Sequence, residues 1–162
     1  IYLDPASRSS VALLRVLLAE YYSGGPAIIE EPRIPHDAAR LLIGDAAIEF
    51  RRRNGSSWQY HDLGALWKEH TELPFVFAVW AISHRIGRSV CTALRTIKGQ
   101  GLAARDRIAA QEPDPQFAYR YLTQHIHYDV RDEEKISIRE FESLARFHKV
   151  LPKAEPAKLD FH

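Results

Sequence analysis

The sequence contains no methionine, so Ile1 is not an ordinary translation start. Because Ile1-Tyr2-Leu3 already reads as the end of a strand, structured protein is expected upstream of it. One cysteine, Cys91, excludes an internal disulfide and fits a reducing compartment, for which a cytoplasmic location is the expectation. No run approaches the roughly 18 apolar residues that a membrane helix needs, and no charged-then-apolar start marks a secretory signal. Neither sign of charge is in excess: 22 Lys+Arg against 21 Asp+Glu leave a net +1. That balance gives no global electrostatic case for nucleic acid or for an anionic membrane as partner. A phosphate-cradling glycine loop, a GxSxG elbow, internal repeats and low-complexity tracts are all missing.

What is present suits a soluble globular chain of one domain or two small lobes: 162 residues, 46% hydrophobic and 27% charged. It is organised around Asp4 to Tyr22. Apolar Val11, Leu14, Leu18 and Tyr21, with Leu13 and Leu17 alongside, recur at three- and four-residue steps and predict a helix that buries one face. Pro5 and the cluster Ser7, Ser9, Ser10 mark its start, where a serine hydroxyl satisfies an otherwise unpaired backbone N–H. A strand running into a serine-rich turn that opens a helix can also receive an anion, since free N–H groups and the positive end of the helix dipole meet there. Arg8 adds a fork suited to a carboxylate. Capping alone and anion docking are both consistent with these residues.

Downstream, Ser23-Gly24-Gly25-Pro26 breaks the helix and Ala27 to Glu30 is a short strand candidate. His36 to Arg40 reads as a short helical connector, and Leu41-Leu42-Ile43 as a strand covered on both faces that ends in Gly44-Asp45. Open α/β sheets hold ligands at the carboxyl ends of their strands, which makes Gly44 and Asp45 the second candidate site element. Gly44 would allow close backbone approach. Asp45 would either orient a substrate hydroxyl or cap a helix starting at Ala46. That helix closes in Arg51-Arg52-Arg53-Asn54-Gly55, a basic end that opposes the helix dipole. Ala65 to His70 predicts a short amphipathic helix, and Phe75 to Ala81, rich in Phe, Val and Trp, predicts a central strand. Beyond His84 the pattern is helical: Ser89 to Lys98, a break at Gly99-Gln100-Gly101, Leu102 to Gln111, Gln116 to Gln124 and Ser137 to Val150.

His125 and His127 with His148 offer imidazoles for a metal, but the absence of acidic or sulfur ligands at zinc spacing speaks against a site there. Cys91 lies within a helical pattern without a paired histidine and reads as core.

Three blocks, DPASRSSVALLRVLL, LLIGDAAI and YHDLGALWKEHTELPFVFAVWA, occur in order and together resemble the chorismate dehydratase family of futalosine-route menaquinone biosynthesis. They cover roughly the first half of the chain. The resemblance implies an α/β fold like that of type II periplasmic binding proteins, with two lobes joined by crossing strands around a ligand cleft. Residues 1–73 would then be a complete inserted lobe, 74–81 a crossing strand and 82–162 the helical remainder of the other lobe. The N-terminal strands of that second lobe would come from a missing upstream segment or a second copy of the chain. The implied activity is dehydration of chorismate to 3-[(1-carboxyvinyl)oxy]benzoate, with no metal or organic cofactor. Carried over by position, Ser7, Arg8, Ser9 and Ser10 form the substrate-binding turn, with Ser9 where threonine is usual, and Gly44 and Asp45 belong to the IGD segment. Glu72 stands where the family usually has glycine. No residue is singled out as general base, which the upstream segment or a substrate carboxylate would supply. A carboxylate-binding protein of the same architecture, without catalysis, is the alternative.

Overall fold

The computed structural model describes residues 1–3, 7–22, 28, 38–82, 85 and 87–151. The order of elements is β1 (Tyr2–Leu3), α1 (Arg8–Tyr21), β2 (Arg40–Leu41), α2 (Gly44–Asn54), α3 (Leu63–Thr71), α4 (Arg88–Ala103), α5 (Arg105–Ala109), α6 (Pro115–Arg120) and α7 (Asp132–Phe147). The fold is therefore mixed α/β, mostly helical with a small parallel sheet. Contacts group it into two units, one built from the described residues of Ile1–Ala78 with those from Arg131 onward, the other Val79–Val130.

In the first unit, α1 owes its start to Ser7, whose Oγ accepts from the Ser10 N–H at 3.1 Å. Its apolar stripe buries Leu13, Leu14, Val16 and Leu17, each contributing about 1.5–3 kcal/mol on leaving water. One side of α1 packs with α3 and α7 around Trp67. The Trp67 ring meets Phe75 at 5.6 Å and Phe141 at 5.9 Å, all edge to face. Its indole N–H donates to Ser137 Oγ at 3.0 Å, so the polar atom of the most buried aromatic is satisfied from α7. The other side of α1 covers the sheet through Leu14, packed with Leu3 and Leu41. At the end of α1, Tyr21 stacks flat on His70 at 4.0 Å, and Glu20 Oε2 lies 2.5 Å from His148 Nε2 at the end of α7.

The helix α3 begins at Asp62, whose carboxylate accepts from the Ala65 N–H at 2.9 Å, and it ends at Glu72 in the left-handed conformation, φ +62°. The start of α7 carries Asp132, Glu133 and Glu134 against the positive helix end, with Glu134 Oε2 accepting from the Arg131 N–H at 2.9 Å.

In the second unit, α4, α5 and α6 follow one another and α6 runs into a π-turn at Tyr121–His125. Ala109 is its buried hydrophobic residue among those described, and Lys98 pairs with Asp129.

Several expectations are corrected. Residues 74–82 are not a strand and have no ladder partner among the described residues. Phe75 turns into the Trp67 cluster while Phe77, Val79 and Trp80 are exposed, so the run is not covered on both faces. Gly99-Gln100-Gly101 does not break a helix: α4 passes through it, because half-buried Cys91, Leu94, Lys98 and Leu102 keep one continuous stripe across the glycines. Cys91 is accordingly half-buried and not core. The helix expected from Ala46 begins at Gly44, and the connector expected over His36 to Arg40 ends instead in β2. The strand candidate Ala27 to Glu30 lies, except for Ile28, outside the described residues.

Candidate functional site

The sheet decides which turns meet. Strands β1 and β2 run parallel, with Tyr2 opposite Arg40 and Leu3 opposite Leu41, and the Tyr2 N–H donates to Ala39 O at 2.8 Å. Parallel neighbours lie about 4.8 Å apart and end on the same side. The chain leaving Leu3 toward Ser7 and the chain leaving Leu41 toward Gly44 therefore depart from one sheet edge, each to open a helix. The two stretches singled out in the sequence, Ser7 to Ser10 and Gly44-Asp45, thus each follow one of two paired parallel strands.

Within the first turn, Ser7 is extended at φ −124°, ψ 105° and serves as cap. Its hydroxyl donates to Ser10 Oγ at 2.9 Å, and Ser10 is only 5% exposed. These two hydroxyls are thus held by each other. Arg8 is exposed and Ser9 half-buried, and the side chains of both are without hydrogen-bond or ion-pair partners among the described residues. The start of α1 has no acidic residue in its first turn to offset the dipole, so it presents positive charge, N–H groups and a hydroxyl, a receptor for a carboxylate.

The second turn is of opposite character. Gly44 sits at φ +56°, a backbone conformation that other residues rarely adopt, and nothing lies within 4 Å of where a Cβ would be. Ile43 precedes α2 without a side-chain cap. Asp45 lies inside the first helical turn, exposed, its carboxylate committed to no cap. Capping, one of the two roles open to it in the sequence, is not the role it plays. Its carboxylate can accept a hydrogen bond from a ligand hydroxyl. Donors at one turn and an acceptor at the other fit a ligand that carries both a carboxylate and a hydroxyl.

Two of the three histidines considered as metal ligands have other neighbours. His148 faces Glu20, His125 stacks on Tyr121 at 6.3 Å, and among the described residues no three His, Cys, Asp or Glu side chains form a metal-holding group. The Ser7–Ser10 hydroxyl pair was not anticipated, although the three-residue spacing of cap and first-turn serine carries the signal.

What the structure defines is a small parallel sheet whose two strands are each followed by a helix, an α/β arrangement. The sequence pattern of the menaquinone biosynthesis family matches residues 1–146, and the chain belongs to that family. It is 29% identical over 163 residues to the chorismate dehydratase of Thermus thermophilus, a match covering 86% of this chain and 60% of the relative. The chain thus spans about three fifths of the length of that curated relative. No solved structure matches it.

Proposed function

We propose that this chain supplies the substrate-binding edge of a hydro-lyase that dehydrates chorismate to 3-[(1-carboxyvinyl)oxy]benzoate in the futalosine route to menaquinone, in the cytoplasm. The observation that supports the reading is the parallel pairing of β1 with β2, the strands that precede Ser7 and Gly44 in the chain. Family membership and the dehydratase relative support it. Chorismate has two carboxylates and a ring hydroxyl. One carboxylate docks on Ser9, Arg8 and the start of α1, and Asp45 accepts from the hydroxyl. Loss of water makes the ring aromatic, so the driving force lies in the substrate. The protein positions the ring and assists the departure of a C–H proton and the hydroxide. Ser7 and Ser10, bonded to each other, keep the turn in shape for the contacts made by Arg8 and Ser9. The fold is that of a type II periplasmic binding protein, in which 74–81 crosses between lobes and a second wall closes the cleft.

A carboxylate-binding role without catalysis is the second reading, favoured by one observation: among the described residues, Asp45 is the one carboxylate that the two turns carry. Incubating the protein with chorismate and following ultraviolet absorption separates the two. Formation of an aromatic acid establishes the lyase, and saturable binding without conversion establishes the binder. Absence of both eliminates the assignment of this edge.

A further inference from the structure

Away from the turn edge, α2 and the residues around it carry a cluster in which arginines lie on aromatic rings. The Arg40 guanidinium carbon is 5.8 Å from the centroid of Phe50 and 5.8 Å from that of Trp58. Those two rings themselves meet edge to face at 5.2 Å. Beside Phe50 in sequence, Arg51 places its guanidinium 5.2 Å from the Tyr60 ring. Strand β2, helix α2 and the segment 58–60 all contribute. The contact of Arg40 with Phe50 shows that α2 folds back along β2, so this cluster sits about 10 Å along the helix from Gly44 at 1.5 Å per residue.

Both arginines are exposed, and neither has a carboxylate or other hydrogen-bond partner among the described residues. Two helical arginines in the chain do find one: Arg53 pairs with Glu49 at 2.7 Å and Arg146 with Glu142 at 2.9 Å, each one turn back. Arg51 has Ala47 one turn back and Gly55 one turn on, so its own helix offers no carboxylate. What holds these side chains is the aromatic face, which restricts their rotamers and leaves the edge of the guanidinium fork available to a planar anion. Fixing an arginine before binding removes part of the ordering cost of association. Arginine, tryptophan and tyrosine are also the residue types that anchor protein interfaces.

We propose that the Arg40/Phe50/Trp58 and Arg51/Tyr60 cluster is a docking surface for an acidic segment of a partner protein, whose Asp or Glu carboxylates take the two arginine forks. Nucleic acid fits less well: it engages on the order of 6–10 phosphates, whereas two unpaired guanidinium groups are offered here on a chain of net charge +1.

Fluorescence anisotropy of a labelled oligo-glutamate peptide tests this, with a labelled RNA oligonucleotide and inorganic polyphosphate as competitors. The wild-type protein is expected to bind the peptide saturably at low salt. R40A/R51A is expected to weaken binding about tenfold or more, since each charge-assisted pair lost is a sizeable term, at an unchanged melting temperature. R40K/R51K, which keeps the charge and loses the fork, recovers only part of it. Should R40A/R51A melt early, Arg51→Gln alone, which touches only Tyr60, gives the same comparison with a smaller loss. No saturable peptide binding, equal affinity in the variants, or tighter binding of RNA or polyphosphate than of peptide each overturns the proposal.

Discussion

Replacing Glu72 with glycine should stabilise this protein although it deletes a whole side chain. Glu72 closes α3 at φ +62°, ψ 5°, and its N–H donates to Lys68 O at 2.8 Å. An L-residue in this left-handed conformation is disfavoured by about 1–2 kcal/mol, a strain that glycine does not have. Glycine also loosens the unfolded chain, which takes back roughly 0.4–1 kcal/mol. The difference leaves a net gain of about 0.5–1 kcal/mol, or about 1–4 °C in melting temperature for a chain of this size. Glu72 is exposed and its side chain makes no hydrogen bond among the described residues, so little is lost with it. Urea unfolding of Glu72→Gly, Glu72→Asn, Glu72→Ala and wild type by far-ultraviolet circular dichroism provides the measurement. Glycine should raise the midpoint most, asparagine less, and alanine scarcely at all, with an unchanged slope. An alanine variant as stable as the glycine variant would show that the carboxylate was unfavourable and that backbone strain was not the cause. A glycine variant at or below wild type would refute the left-handed cap itself.

Four further outcomes follow from the same structure. Asp45→Asn should leave the unfolding free energy within about 0.5 kcal/mol of wild type, as expected for an exposed position, while lowering chorismate binding or turnover; unchanged kinetics would remove Asp45 from the site. Ser137→Ala strands the Trp67 indole N–H in the core, and equilibrium unfolding should report a loss of about 1–3 kcal/mol. Gly101→Ala, where a Cβ meets nothing within 4 Å, should stabilise α4 by about 0.5–1 kcal/mol, read as a raised melting temperature. Burial, then the carboxylates of Glu20 and Glu140, hold the Tyr21 phenol above the usual tyrosine range. The stability tied to Tyr21 is therefore complete below pH about 10 and declines as pH climbs through its raised folded value; Tyr21→Phe should flatten that alkaline decline in a pH series of melts.

How much could be read in advance depended on whether the governing interactions were local. Helix α1 was legible because its cap, its stripe and its length all lie within one stretch, and Ser7, Leu13 and Leu17 act as their positions suggest. The two turn motifs were legible for the same reason, as glycine and serine mark backbone geometry where they stand. The pairing of the strands that precede them was not, because the parallel register of Leu3 with Leu41 joins residues far apart in the chain. Phe75 to Ala81 misled in the opposite way. An unbroken apolar run says that neighbours are needed and not which ones, and here Phe75 finds Trp67 and Phe141 whereas Trp80 finds exposure. At Gly99 and Gly101 the local preference for a break, about 1 kcal/mol for each glycine, lost to a stripe running from Cys91 to Leu102.

The bond between Trp67 and Ser137 has a bearing on how the protein emerges from the ribosome. Helices α1 and α3 are complete once Thr71 has been made, but Phe147, at the end of the helix that covers them, lies 76 residues further on. At ~5–20 residues per second that interval is about 4–15 s. Throughout it, the faces of Leu13, Val16, Leu17 and Trp67 that α7 will cover await their last neighbour while the 79–130 unit is being synthesised in between. Closure of the first core therefore waits for the 76 residues made between Thr71 and Phe147. The nascent chain is most open to chaperones, and most exposed to misassociation with its neighbours on the same messenger, in the seconds before α7 arrives.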